Sequence, residues 1–361
     1  MIPVSKPVIN KDLKKNVNLA INEGWISSRG RFIELFEKKL KFFFKINYCV
    51  TCSNGTAALI LALKALGIKE GDEVIVPDIS YAATINSVIN VGATPVLCEI
   101  RKDTWCIDEI KVQKRITKKT KAIIVVHLYG GSCDLKKLVE ISKKNKIYLI
   151  EDAAEALGSK YNNKYLGTYG DVGCFSFFGN KTITTGEGGC CITSNKKLKD
   201  KLVLFKNHGM NDKKKYLHTL PGYNFRLTNI QAAIGVSQLK SLEIFIKKRK
   251  LIELFYLDQF KDLKFFLPQK NLNEVKKINW IFTALFVNKS KKISDLLLNK
   301  NIEFRRVFIP FHKMKIYKKF MPKNFDGRNS LMIYKHGLSL PTFVDMTKKQ
   351  LNKIASIVIR S

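Results

Sequence analysis

The sequence predicts an α/β fold, with a large unit on a mixed, mostly parallel sheet and a smaller C-terminal α+β unit. Three observations carry this reading. Apolar runs of strand length alternate with helix-length amphipathic segments along the first part of the chain. The stretches between successive strands are long enough to hold a helix, as parallel neighbours require. At 361 residues with a 45% hydrophobic fraction, the chain can build one large core and a second, smaller one.

Taken in order, "INEGWISSRGRFIELFEKKLKFFF" ends in an amphipathic helix, and "YCVTCS" reads as a strand. That strand runs into Asn54, Gly55 and Thr56 and then the helix "AALILALKALGI". The rhythm repeats through "EVIVPDISYAATINSVINVGATPVLCEI", "KAIIVVHLYGG", "CDLKKLVEISKKNK" and "IYLIEDAAEALG". Near Asp171 it changes: "DVGCFSF" and "GGCCITS" are short strands flanking a loop that holds Lys181, and "KKLKDKLVLFKNHGM" leads away as a helix. The segment "QAAIGVSQLKSLEIFIKKRKLIELFYLDQF" reads as one long helix at the transition between units. The boundary is set there, with a large domain over residues 1–240 and a small one over 241–361. "WIFTALFV", "SDLLLNKNIEFRRVFIP" and "LNKIASIVI" supply the smaller unit.

Charge narrows the function classes. The formal net charge is +34, which by itself suggests a polyanionic partner. The lysines, however, are scattered over the polar sides of amphipathic segments such as "FEKKLKFFFK" and "LVEISKKNK", and no nucleic-acid-reading motif accompanies them. A solvated lysine-rich surface is expected, without nucleic acid as partner. Eight cysteines form no metal or disulfide framework; Cys49 and Cys52 sit in a strand pattern with no second pair, so burial is expected. The opening "MIPVSKPVINKD" carries no apolar leader and no run reaches membrane-spanning length, so a reduced cytoplasmic compartment is the expectation, without membrane insertion.

Ligands of open α/β sheets gather beyond the carboxyl ends of the strands, where distant segments meet. Gly55 and Thr56 open a helix after a strand, where free amides and the helix dipole favour a phosphate, or simply form a turn and cap. Tyr81, in "PDISYAAT", can stack on a planar group or pack the core. Glu151, Asp152 and Glu155 follow an apolar strand, with Glu155 read as opening a helix. These acids either cap that helix or let Asp152 hold a ring nitrogen protonated. His127 ends another strand, where a structural or substrate-side hydrogen bond fits better than metal ligation. Lys181 lies among apolar residues and glycines in "GCFSFFGNKTITTGEGG", where it is either a surface lysine in a turn or an amine that desolvation makes nucleophilic. A nucleophilic lysine, a phosphate cradle, an aromatic plate and a carboxylate for a ring nitrogen are the complementary needs of pyridoxal 5'-phosphate.

From "NEGWISSRG" through "SNGTAAL", "EDAAEALG", "GDVGCFSFFGNKTITTGEGG" and "GYNFRLTNIQAAIG" to "RRVFIPFH", the chain resembles the DegT/DnrJ/EryC1/StrS sugar-nucleotide aminotransferases. The resemblance implies the aspartate-aminotransferase-like fold of type I pyridoxal-phosphate enzymes. It implies Lys181 as the Schiff-base lysine, Asp152 as partner of the pyridine nitrogen and Tyr81 as the stacking ring. Gly55, Thr56 and Ser176 would hold the phosphate, and Asn224 would reach the phosphate of a neighbouring subunit, giving a homodimer with shared active sites. Glu155 is placed by it near the cofactor hydroxyl, and Arg306 and His312 on the substrate side. Glutamate as amino donor and a nucleotide-linked 4-keto-6-deoxy sugar as acceptor follow in the same way. Within the group, "EDAAEA" and "SFFGNK" resemble the segments of GDP-perosamine synthases. That implies GDP-4-keto-6-deoxymannose as acceptor and a role in surface polysaccharide such as O-antigen, with a UDP-linked 4-keto sugar as the alternative. A sugar dehydratase or a non-catalytic scaffold on the same fold is disfavoured by the intact Lys181 and Asp152.

Overall fold

The computed structural model describes residues 1–210, 214 and 216–361. Its strands, in chain order, are β1 (Tyr48–Cys52), β2 (Glu73–Pro77), β3 (Thr94–Cys98), β4 (Thr120–Val126), β5 (Tyr148–Asp152), β6 (Lys160–Tyr161) and β7 (Lys164–Tyr165). They continue with β8 (Val172–Ser176), β9 (Gly189–Thr193), β10 (Phe266–Pro268), β11 (Val275–Lys276), β12 (Phe282–Phe286), β13 (Arg305–Arg306) and β14 (Gly337–Leu340). Seven of them make one sheet in the order β1-β9-β8-β5-β4-β2-β3. Pairing is parallel from β3 across to β8, whereas β9 runs antiparallel to both its neighbours. The sheet is therefore mixed and mostly parallel, as the alternating pattern predicts.

The parallel part is buried on both faces, and its strands are correspondingly near-continuous in apolar residues: Val74, Ile75 and Val76 in β2, Ile123 to Val126 in β4. The helix Gly55–Ala65 covers one side and is apolar on every face, because it lies in the core between the sheet and the helices Ala83–Asn90 and Lys196–Lys206. Because β8, β5, β4 and β2 run the same way, their carboxyl ends emerge at one edge. β1 shares that direction, being antiparallel to β9, which is antiparallel to β8. Residues that follow five different strands are thus delivered to one place.

A second sheet, β10-β12-β14-β13, is antiparallel and packs with the helices Leu242–Phe260, Ser290–Asn299 and Lys348–Ile359 around a separate core of Tyr256, Phe260, Phe282, Phe286 and Ile354. The first residues join it in space: Ile2 bridges to Ile302 and is buried in this second core.

Two elements differ from the sequence expectation. The long transition helix is two helices, Asn229–Lys240 and Leu242–Phe260, which meet at Ser241. Ser241 holds φ −95° and ψ 0° and accepts a hydrogen bond from Asn10, so hydrophobic periodicity runs across a break that a tertiary contact helps hold. The second difference concerns Glu155. It sits in a run of turns, not at a helix start; Gly158 at φ +95° and the Ala156-to-Ala153 and Ser159-to-Ala156 hydrogen bonds fold the chain back toward β6. Helix capping by Asp152 and Glu155 is therefore excluded. All eight cysteines are free and buried. Among the described residues, no helix is long and apolar enough to cross a membrane, and no cluster of metal-ligating side chains occurs.

Candidate active site

At the carboxyl edge of the large sheet lies a cavity of about 510 Å³, lined by Asn54, Gly55, Thr56, Tyr81, Asp152, Glu155, Ser176 and Lys181 among others. The strands explain why these residues meet. Gly55 follows β1, Tyr81 follows β2, Asp152 ends β5, Ser176 ends β8, and Lys181 rides the loop from β8 to β9.

The Lys181 side chain is only 13% exposed, and its Nζ lies 3.6 Å from Glu155 Oε1 and 3.6 Å from the ring centroid of Trp280. Burial lowers the Lys181 pKa, against the opposing pull of the Glu155 and Asp152 carboxylates, with Arg305 adding to the depression. The amine is thereby biased toward its nucleophilic form. Glu155 is pushed up by the same desolvation, partly countered by Lys181 and by the Tyr129 N–H that donates to its Oε2 at 2.9 Å.

Asp152 is buried, and Thr84 Oγ1 donates to its Oδ2 at 2.7 Å while Ser80 and Thr84 hydroxyls pair at 2.9 Å. Burial raises the Asp152 pKa, with Thr84, the Ala154 N–H and Lys181 acting against it. A carboxylate in that state gains most from a cation brought to it, and a protonated ring nitrogen is such a cation. Behind it, Glu151 points away from the cavity into the core. It accepts from His127 Nε2 at 2.9 Å and from the backbone N–H groups of Gly167, Tyr169 and Gly170 at 2.7, 2.6 and 2.7 Å. His127 is therefore a buried structural partner, outside the cavity lining.

A phosphorylated planar cofactor fits this arrangement on three grounds. A Cβ on Gly55 would stand 2.9 Å from the Ser176 Cβ, so glycine keeps open the cradle between the helix start at Gly55–Thr56 and the Ser176 hydroxyl. Asn54 caps that helix through Ala57 N–H, leaving the amides of the first turn directed at the same space. Asn180 Oδ1 is buried at the cavity with no hydrogen-bond partner among the described residues.

The remaining expected residues fall in different places. Tyr81 is 65% exposed at the mouth, with its ring edge-on to Phe308 at 5.9 Å. Arg305 lines the cavity, whereas Arg306, one residue along β13 and so on the opposite face, is exposed and does not. His312 lies outside the cavity: its Nδ1 is 2.7 Å from Asp78 Oδ2, its N–H donates to Asp78 Oδ1 at 3.0 Å, and Ser330 also donates to that carboxylate. Asn224 is exposed, away from this chain's own cavity, with its Oδ1 accepting from Arg226 Nε at 2.9 Å. Sequence reasoning missed Thr84, Asn180, Trp280 and Phe308. Thr84 stands three residues after Tyr81 on the next helix, a signal the spacing offered; Trp280 and Phe308 come from segments next to β12 and β13, and only the fold brings them here.

Comparison with known proteins agrees with this geometry. A GDP-perosamine synthase of Escherichia coli O157:H7 is 41% identical over 97% of this chain and 95% of its own length. One from Vibrio cholerae is 39% identical over 99% and 98%. The PLP-form of a sugar aminotransferase, Spr1654 of Streptococcus pneumoniae, superposes with a TM-score of 0.92 at 26% identity, covering 99% of both chains. The architecture is that of fold type I pyridoxal-phosphate aminotransferases. With the profile of the DegT/DnrJ/EryC1/StrS aminotransferase family matching residues 7–359, this chain belongs to that family.

Proposed function

We propose that the protein transfers an amino group from glutamate to a nucleotide-linked 4-keto-6-deoxy sugar, with GDP-4-keto-6-deoxymannose as acceptor and GDP-perosamine as product. The observation that carries the reading is the convergence of Lys181, Asp152 and the Gly55–Thr56–Ser176 cradle on one cavity. The GDP assignment rests on relatives of that name at 38 to 41% identity over nearly the whole chain.

Bound pyridoxal phosphate supplies an electrophilic aldehyde and a ring that accepts the electron pair released at a substrate carbon. The chain's residues do the rest. Lys181, whose pKa burial lowers, would hold the aldehyde, and its Nζ, when free, would be placed to move a proton at the substrate carbon. Asp152 would hold the ring nitrogen protonated, with its carboxylate oriented by the Thr84 hydroxyl and the Ala154 N–H. The helix-start amides at Gly55–Thr56 and the Ser176 hydroxyl would anchor the phosphate. Trp280 and Phe308 wall one side of the cavity with Tyr81 at its mouth, and Arg305 offers a planar cation for a substrate phosphate or carboxylate.

Two measurements test this. Protein loaded with the amine form of the cofactor, mixed with GDP-4-keto-6-deoxymannose, should regain the aldehyde-form absorbance and yield a 4-amino sugar by mass. A kcat/KM favouring UDP-linked 4-keto sugars would overturn the GDP assignment alone. Lys181→Ala should lower turnover by about 10³-fold or more, since it loses both attachment and proton transfer; undiminished turnover would remove Lys181 from its role.

A further inference from the structure

Lys181 is held by more than the two carboxylates near it. Its Nζ stands 3.6 Å over the centre of the Trp280 ring, well inside the range at which an ammonium is attracted to an indole face. Trp280 is buried and fixed on every side. Its Nε1–H donates to Asn180 O at 2.6 Å, its backbone carbonyl accepts from the buried Arg249, and its ring stacks on Tyr129 at 6.2 Å and 12°. Tyr129, whose φ of +52° is a conformation side chains seldom adopt, uses its own N–H to hold Glu155, the carboxylate on the other side of Lys181. The same residue thus braces both walls around the amine.

We propose that Trp280 is a positioning residue: together with Glu155 it forms a seat for the Lys181 ammonium whenever that lysine is not bonded to the cofactor, setting both its resting place and its proton affinity. The inference rests on the proposed role of Lys181 and deepens it. A lysine that alternates between attachment and proton transfer needs somewhere to wait as a cation, and the Glu155 carboxylate and the Trp280 face beside Nζ supply that place. The groups that act on Nζ are Glu155 and Asp152, which favour the cation, and Arg305, which opposes it along with desolvation. The indole face joins the first pair, without adding a titrating group of its own.

The test uses the cofactor-free full-length protein. Condensation of pyridoxal phosphate with Lys181 forms one C=N bond and releases one water, and it requires the neutral amine. The rate of appearance of the visible absorbance, followed against pH, therefore reads the Lys181 titration. Trp280→Leu removes the π-face while keeping an apolar side chain, so the midpoint should fall by roughly one pH unit. Trp280→Phe, a weaker but real π-face, should fall between. A purely structural role would slow uptake at every pH without moving the midpoint, and equal midpoints in all three proteins would overturn the proposal. If the leucine variant fails to fold, the phenylalanine variant alone decides: an unmoved midpoint counts against the seat, a lowered one for it. Absence of uptake by the unaltered protein at any pH would overturn the reading of Lys181 itself, and this inference with it.

Discussion

Asp152 shows how one residue's surroundings decide its chemistry. Left in the core alone, a carboxyl group would take up a proton; the Thr84 hydroxyl, the Ala154 N–H and the Lys181 charge work against that, but burial wins. The site is therefore short of one positive charge at Asp152, and the ring nitrogen of the cofactor would provide it. Asp152→Asn keeps the shape and removes the charge. Single-turnover deamination of glutamate should slow by about 10²- to 10³-fold, while affinity for the nucleotide sugar, measured by calorimetry, changes little. Unchanged deamination would contradict the role. Thr84, which holds the carboxylate by a 2.7 Å bond, works in the same direction, one step removed.

Among the elements, β4 and β5 are joined at their carboxyl ends by Glu151, which ties β5 to His127 and to the turn at residues 167–170. Burial alone would raise its pKa; the His127 hydrogen bond and charge, with the N–H groups of Gly170 and Gly167, bring it below the ordinary carboxylate value. A folded pKa below the unfolded one means that this carboxylate stabilises the fold above the unfolded value, about 4.3, and that the contribution is lost as pH falls through the lower folded value. Glu151→Gln should cost about 3–5 kcal/mol at neutral pH, with a smaller gap from the unaltered protein in the acid limb, read from urea midpoints at pH 7 and below pH 4. A constant gap across that range would refute the assignment. The elements carrying these groups were legible because strands and their flanking turns are written locally: the apolar run before Glu151-Asp152 and the loop around Lys181 announce themselves. Glu155 was misplaced on a helix because "AAEAL" has helical composition, while long-range bonds such as Ala153 to Cys174 O bend it into turns. Trp280 enters the sequence reading only within "WIFTALFV", as part of the smaller unit, since nothing near it in sequence points to Lys181. The resemblance points to Arg306, but only the strand shows that Arg305 is the one that meets the cavity.

At the scale of the whole molecule, the cavity is walled by distant parts of the chain: the large sheet supplies the cradle, and the segments around β12 and β13 bring Trp280, Arg305 and Phe308 over it. Asn224 belongs to neither wall. It is exposed on the segment before the helix Asn229–Lys240, and exposed Trp25 and Ile26 lie just before the helix Arg31–Phe44, which packs against that same helix. An exposed polar group expected at a phosphate, beside exposed apolar side chains, is the surface a two-fold dimer with shared sites would use. The prediction is a homodimer in which each cavity is completed by the partner's Asn224. Asn224→Asp would set a carboxylate against the phosphate and, like Lys181→Ala, should abolish most activity when present in every chain. Mixed in equal amounts and allowed to exchange, the two inactive proteins should recover roughly a quarter of normal activity, because half the dimers are hybrids and each hybrid holds one site free of both changes. Light scattering establishes the dimer, and the mixing experiment establishes the sharing. No recovery from hybrids shown to form would mean that each chain completes its own site, because both changes would then fall within separate, independently broken cavities.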